Sequence, residues 1–129
     1  MKPLQSFKWS DHLYDVSVVL LCGDGRQALT WMDKTFENVS GRECGEFTGA
    51  KTVWIERPKG CALALWFPQW FHVNDAHYLG VLAHECFHAA EFVLGHRGMA
   101  LTDASSEAYA YYIAWMFRNI YQRLAAKKF

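Results

Sequence analysis

The order of hydrophobic and polar positions predicts a chain of short strands and longer helices. Residues 13–22 and 61–67 are apolar or β-branched almost throughout, and residues 51–57 alternate, so we predict a strand in each range. Residues 26–38 repeat their apolar positions every three or four residues, which is typical of an amphipathic helix. Residues 58–60 (Pro-Lys-Gly) form a turn sequence, which predicts a hairpin between the second and third strands.

Two longer helices are predicted in the second half of the chain. Either residue of the pair 74–75 (Asn-Asp) can cap a helix that runs to about Leu94, where the glycines within 95–98 end it. Either residue of the pair 102–103 (Thr-Asp) can cap a last long helix that reaches towards Lys127. Because the connection between them is short, we expect these two helices to form an antiparallel hairpin.

The predicted elements follow the order β-α-β-β-α-α, with a Gly-rich loop over residues 41–49. We therefore expect one α+β domain over residues 1–129. A small, mostly antiparallel sheet should pack on the helix of residues 74–94, and a long C-terminal helix should follow it.

Composition and charge exclude several classes of function. The chain has 129 residues and a net charge of +0, so it has no basic field for nucleic acid. The longest apolar run, residues 108–117, is too short to cross a bilayer, and residues 1–8 are too polar for a secretory signal. The cysteines, which lack C-x-x-C spacing, are Cys22, Cys44, Cys61 and Cys86. We therefore expect a cytoplasmic protein with neither nucleic-acid nor membrane partners.

The stretch His84-Glu85-Cys86-Phe87-His88 has the pattern H-E-x-x-H, the zinc-binding helix signature of metallopeptidases. Residues four apart lie on one face of a helix, so both imidazoles can reach one Zn²⁺ ion. Glu85 lies one step round the helix, beside the open side of the metal, where it can act as a general base towards a water. The surrounding residues are mostly apolar, so we expect a largely buried helix whose polar side chains a metal would explain. Cys86 points away from the metal face and is expected to be a small buried hydrophobe.

Glu107 is the predicted third metal ligand, because catalytic zinc usually takes three ligands from the protein. By the predicted helix ends, His88 lies about 9 Å from the turn and Glu107 about 6 Å from it, at similar height. Glu107 also heads an apolar run, where a carboxylate is costly unless it is paired or metal-bound. The alternative is an exposed first-turn glutamate that the helix dipole favours.

Three further residues are candidates for the site. Tyr111 follows Glu107 by four, so it faces the same way, and it is either a hydrogen-bond donor to an oxyanion or a core aromatic residue. Glu91 follows His88 by three, and it is either a hydrogen-bond partner of that histidine or a solvated charge. His96 lies beyond the predicted helix end, where it can reach a substrate.

These residues together resemble a zincin. The H-E-x-x-H residues and Glu107 resemble the gluzincin arrangement of HExxH followed by a helical glutamate. More narrowly, HECFHAAEFVLG and the later SSEAYAYYIAWM resemble small HExxH metallopeptidases encoded by tailed phages, over about residues 74–117. The resemblance implies a reduced zincin fold, metal-dependent peptide hydrolysis and, for a phage-encoded protein, the host cytoplasm. Unlike in larger gluzincins, we expect no second lobe, and Tyr111 stands where they often have an Asp.

We therefore predict a zinc metallopeptidase that hydrolyses peptide bonds in a peptide or protein substrate. The strand of residues 61–67 can hold an extended peptide if it lies at the edge of the sheet. One alternative is a non-catalytic binding or regulatory protein stabilised by zinc, its site closed by Glu91 or a cysteine as fourth ligand. A weaker alternative uses the aromatic last helix and the cations of residues 118–128 as a surface for a membrane or a partner. The sequence predicts no particular oligomeric state.

Overall fold

The computed structural model describes residues 3–36 and 49–126. The chain divides into two compact units, residues 1–71 and residues 72–129. In chain order the elements are β1 (Gln5–Asp11), β2 (Val16–Cys22), α1 (Gly25–Phe36), β3 (Lys51–Ile55), β4 (Cys61–Phe67), α2 (Ala76–His96) and α3 (Ser106–Ala126). The predicted α+β class is therefore confirmed.

The first unit is built on a four-stranded sheet with the strand order β1-β2-β4-β3. β1 pairs antiparallel with β2 and β3 pairs antiparallel with β4, whereas β2 and β4 run parallel, with Val16 opposite Cys61. The sheet is therefore mixed, with mostly antiparallel pairing. β2 and β4 are its inner strands, and their nearly continuous apolar sequences, VSVVLLC and CALALWF, suit strands that are buried on both faces.

α1 is capped by Asp24 and buries one face. The backbone N–H of Gln27 donates to Asp24 Oδ2 at 3.1 Å, which satisfies one of the open donors of the first turn. The buried residues Ala28, Met32 and Phe36 recur every four positions, as an amphipathic helix requires. They share one hydrophobic cluster with side chains of β2, β3 and β4. These side chains are Val19, Leu21, Val53, Ile55, Ala62, Ala64 and Trp66.

β1 is not among the predicted elements. Its residues alternate between half-buried and exposed positions, a strand pattern that the polar sequence QSFKWSD makes faint. The strand predicted from residue 13 begins instead at Val16, because residues 12–15 form the turn after β1. The Asp11 carboxylate holds this turn, since its Oδ1 accepts from the backbone N–H groups of Leu13 at 2.9 Å and Tyr14 at 3.2 Å.

β4 does not lie at the edge of the sheet, so that prediction is wrong. β4 pairs with β2 on one side and with β3 on the other, and its main-chain groups are therefore already engaged. An extended peptide cannot add to it by backbone hydrogen bonds. The predicted loop over residues 41–49 lies, apart from Gly49, outside the described residues, as does Cys44.

Both ends of α2 have recognisable caps. Asp75 is the N-cap, and its carboxylate accepts a backbone N–H of the first turn at 2.8 Å. At the other end, Gly98 has a φ of +78°, its N–H donates to the Gly95 carbonyl at 2.9 Å, and the Met99 N–H donates to the Leu94 carbonyl at 2.9 Å. This is a Schellman motif in which Gly98 follows the C-cap Arg97, so α2 ends at His96 and Gly95 stays inside the helix.

α3 begins at Ser106, later than the predicted caps Thr102 and Asp103. The preceding residue, Ser105, organises the turn: its hydroxyl donates to the Ala100 carbonyl at 2.6 Å and accepts from the Thr102 N–H at 2.8 Å. α2 and α3 contact each other, as a helical hairpin requires. None of the helices in the described ranges is both long enough and apolar enough to cross a membrane.

Candidate metal centre

α2 brings the imidazoles of His84 and His88 together. Their Nε2 atoms lie 3.0 Å apart, with ring centroids separated by 4.6 Å and ring planes inclined at 80°. The two residues are about one helical turn apart, so the hydrogen-bonded backbone of α2 sets their spacing. The predicted approach of the two rings is therefore observed, while metal ligation itself stays a prediction.

The second nitrogen of His88 has a carboxylate partner. His88 Nδ1 lies 3.0 Å from Glu91 Oε1, on the next turn of the same face. An ionised carboxylate can only accept a hydrogen bond, so Nδ1 carries the hydrogen and donates it. Of the two interpretations open for Glu91, a partner of His88 is the one that the structure favours.

Glu85 is the buried member of the motif, with only 7% of its surface exposed. Its Oε2 atom lies 3.9 Å from His84 Nε2, so its carboxylate adjoins the histidine pair. A carboxylate at that distance attracts a cation to the pair and is within reach of a water beside it.

Cys86 is fully buried. Burial and, to a lesser extent, the neighbouring charge of Glu85 together raise the pKa of its thiol to about 12. The thiol therefore stays protonated at neutral pH in the metal-free protein. Its predicted role as a small buried hydrophobe agrees with this environment.

The histidine face of α2 is exposed, contrary to the expectation of a largely buried helix. The exposed fraction is 67% for the His84 side chain and 41% for that of His88. Exposed imidazoles remain in contact with water and lose little hydration free energy. The position of these two rings on α2 can therefore be explained without a metal. The feature that favours a metal is instead the close approach of the two Nε2 atoms. The buried residues of α2 are Leu82, Glu85, Cys86, Ala89, Ala90, Val93 and Leu94.

α3 leaves both of its candidate site residues, Glu107 and Tyr111, exposed. Glu107 is exposed in the first turn of α3, and Tyr111 is 73% exposed, which makes a core role for this tyrosine wrong. Within residues 3–36 and 49–126, no three side chains of His, Cys, Asp or Glu form a group that could hold a metal ion. The role of Glu107 as third ligand stays a prediction.

The common height expected for Glu107 and His88 assumed helix ends that both differ from the observed ones. α2 continues to His96, which puts His88 about 12 Å from the end of its helix. α3 begins at Ser106, which puts Glu107 only about 2 Å into its helix. Counted along each helix, His88 is therefore about 10 Å farther from its helix end than Glu107 is from its own. His96 itself is the last residue of α2 and does not lie beyond it.

An open groove of about 530 Å³ continues from His84 towards the start of α2. Gly80 lies in it, and a Cβ atom there would meet nothing within 4 Å. No sequence pattern predicts this groove, although Gly80 precedes His84 by four residues and so shares its face. The lining residues are Ala76, His77, Gly80, Val81 and His84.

Comparison with known proteins gives no match: no family model fits the chain, and neither a curated protein nor a solved structure matches it. The inference of function therefore depends on the side chains of α2 themselves.

Proposed function

We propose that the protein is a zinc-dependent hydrolase of peptide bonds, with His84 and His88 as metal ligands. The observation that carries this proposal is the 3.0 Å separation of their Nε2 atoms. Histidine nitrogen binds zinc at about 2.0–2.1 Å, so two nitrogens on one ion are at most about 4 Å apart. The pair meets that limit, and the backbone of α2 needs no change to bring it there.

Glu85 is the proposed general base. Zinc held by His84 and His88 would supply polarisation of the scissile carbonyl and a lower pKa for the attacking water. The Glu85 carboxylate lies 3.9 Å from His84 Nε2 and is held in place by burial. It accepts a proton from the attacking water and then delivers that proton to the leaving amine.

The proposal keeps Glu107 as third ligand and Tyr111 as a hydrogen-bond donor to the oxyanion. It also includes a zincin-like fold and kinship with the small phage-encoded metallopeptidases. The supports for these parts are the α+β class and the resemblance over residues 74–117. The substrate is proposed to be a peptide or a protein, hydrolysed in the cytoplasm.

The alternative of a structural zinc in a non-catalytic protein has less support. A closed site needs a fourth protein ligand, for which Glu91 and a cysteine are the predicted candidates. Glu91 is already hydrogen-bonded to His88 Nδ1 at 3.0 Å. Cys86, the cysteine inside the motif, is fully buried, whereas the His84 side chain is exposed.

Glu85→Gln tests the proposed reaction, because it separates metal binding from proton transfer. We expect this variant to retain zinc and to cleave peptides at least about 100-fold more slowly, since an amide cannot accept the proton. Zinc content is measured by elemental analysis, and cleavage by mass spectrometry of a degenerate peptide library.

Glu56→Gln is the matched control. Glu56 is exposed, and its Oε1 accepts from the indole N–H of Trp54 at 3.2 Å, a bond that the glutamine carbonyl can keep. Cleavage by Glu85→Gln at the wild-type rate would remove Glu85 from the mechanism. A wild-type protein that binds zinc and cleaves no library peptide would favour the structural alternative.

A further inference from the structure

Glu91 lies outside the H-E-x-x-H motif, yet it contacts the nitrogen of His88 that does not face His84. His88 Nδ1 donates its hydrogen to Glu91 Oε1 across 3.0 Å. A neutral imidazole has one N–H, so a hydrogen on Nδ1 leaves Nε2 as an acceptor with a free lone pair. Nε2 is the atom that faces His84.

The tautomer of His84 follows from that of His88. The two Nε2 atoms are 3.0 Å apart, which is hydrogen-bond distance, so one of them carries a hydrogen. His88 Nε2 carries none, and His84 Nε2 is therefore the donor. With both rings neutral and no metal bound, this assignment puts the hydrogens on different atoms, Nδ1 in His88 and Nε2 in His84.

We infer that Glu91 is a positioning residue that keeps His88 in the metal-binding tautomer, so that His88 is the first ligand to engage a divalent cation and His84 the second. The inference rests on the proposed function in taking both histidines as ligands. When His84 engages, its Nε2 proton leaves to solvent and another proton binds Nδ1, so the ring stays neutral. The 67% exposure of the His84 side chain gives water access for this exchange.

The size of the effect follows from the exposure of the pair. Hydrogen-bond partners of metal-bound histidines contribute about 10- to 100-fold to metal affinity. The side chains of His88 and Glu91 are 41% and 49% exposed, so water competes with their hydrogen bond. We therefore expect the lower end of that range, an affinity loss of about tenfold when the carboxylate is removed.

Glu91→Gln tests the inference with two measurements, and Glu56→Gln makes the same chemical change at an exposed site in the other unit. Long-range ¹H–¹⁵N NMR of the histidine rings in metal-free protein, in mildly alkaline buffer, reports the tautomers. We expect the Nδ1–H form of His88 in wild type and in the control, and a mixture of both forms in Glu91→Gln. Zinc affinity, measured against a chelating dye, should fall about tenfold in Glu91→Gln only.

The two measurements distinguish failure of the inference from failure of the proposed function. A wild-type His88 with its hydrogen on Nε2 overturns the inference, whether or not zinc binds. An Nδ1–H tautomer together with unchanged zinc affinity in Glu91→Gln also overturns it. A wild-type protein that binds no zinc overturns the proposed function and, with it, the role of Glu91 in loading. A protein that binds zinc as expected and cleaves no peptide leaves the inference standing and removes only the peptidase activity.

Discussion

α2 and α3 are both 21 residues long, yet only α2 brings its predicted site residues together. On α2, His88 lies within hydrogen-bond distance of both His84 and Glu91, at 3.0 Å in each case. On α3, Glu107 and Tyr111 are exposed, and no metal-binding group of three side chains forms within the described parts of the chain.

The difference shows which distances a helical repeat determines. Inside one helix, a spacing of three or four residues sets the separation of two side chains, because the backbone hydrogen bonds do so. Between two helices, the separation also depends on where each helix begins and ends. An error of one turn in an end shifts every residue by about 5.4 Å relative to the other helix.

The largest effect should be a loss of stability on substitution of a buried residue of α3. Such a loss would show that α3 mainly contributes to the packing of the core. Met116 is fully buried, so Met116→Ala should lower the free energy of unfolding by about 2–5 kcal/mol. Tyr111 is 73% exposed, and Tyr111→Ala should change that free energy by no more than about 0.5 kcal/mol. Urea denaturation followed by circular dichroism measures both. Equal losses in the two variants would contradict the assignment of α3 faces.

The next effect concerns the histidine pair of α2. His88→Ala removes one of two converging nitrogens and should weaken zinc binding by at least about 100-fold, more than the loss of a hydrogen-bond partner does. Isothermal titration with zinc gives the affinity. His12→Ala, a matched change at an exposed turn residue of the first unit, should leave the affinity at the wild-type value. Equal affinities in the two variants would remove the pair from the metal site.

Glu107→Ala tests the part of the site that depends on contact between the helices. If α3 supplies the third ligand, the variant should lose about tenfold or more in zinc affinity, because one of three protein ligands is gone. Gln122→Ala, at another exposed position of α3, is the control and should bind zinc like wild type. Unchanged affinity in Glu107→Ala would restrict the site to α2 and remove the gluzincin-like arrangement from the proposal.

Local signals explain which parts of the fold were predictable. β4 spans the predicted range, Cys61–Phe67, because Gly60 and Pro68 bound a continuous apolar run. β1 escaped prediction because Lys8 and its polar neighbours obscure the alternation around Trp9. The inner place of β4 in the sheet is a matter of pairing between distant strands, and no short-range pattern specifies it.

The candidate site divides in the same way. The contact of His88 with Glu91 was open to prediction because it lies inside one helix, although a solvated Glu91 was an equally local possibility. The position of Glu107 along α3 could not be predicted, because the start of α3 depends on a turn. The hydrogen bonds of that turn are made by Ser105. Ser, Thr and Asp side chains occur both in turns and at helix N-termini. The sequence therefore does not distinguish Ser105, which organises the turn, from the predicted caps Thr102 and Asp103.

The smallest effect should come from the exposed face of α2, which contains a glycine where α3 has none. A Cβ at Gly80 meets nothing within 4 Å, so Gly80→Ala should raise the free energy of unfolding by about 0.5–1 kcal/mol. Gly98→Ala should lower it by about 1 kcal/mol, because Gly98 has a φ of +78°. Urea denaturation gives both signs, and a loss of stability in Gly80→Ala would mean that this face is packed and not open. If Gly80→Ala instead gains stability and cleaves peptides more slowly, substrate occupies the groove beside His84. The substrate-binding part of α2 would then include the helical turn that precedes His84.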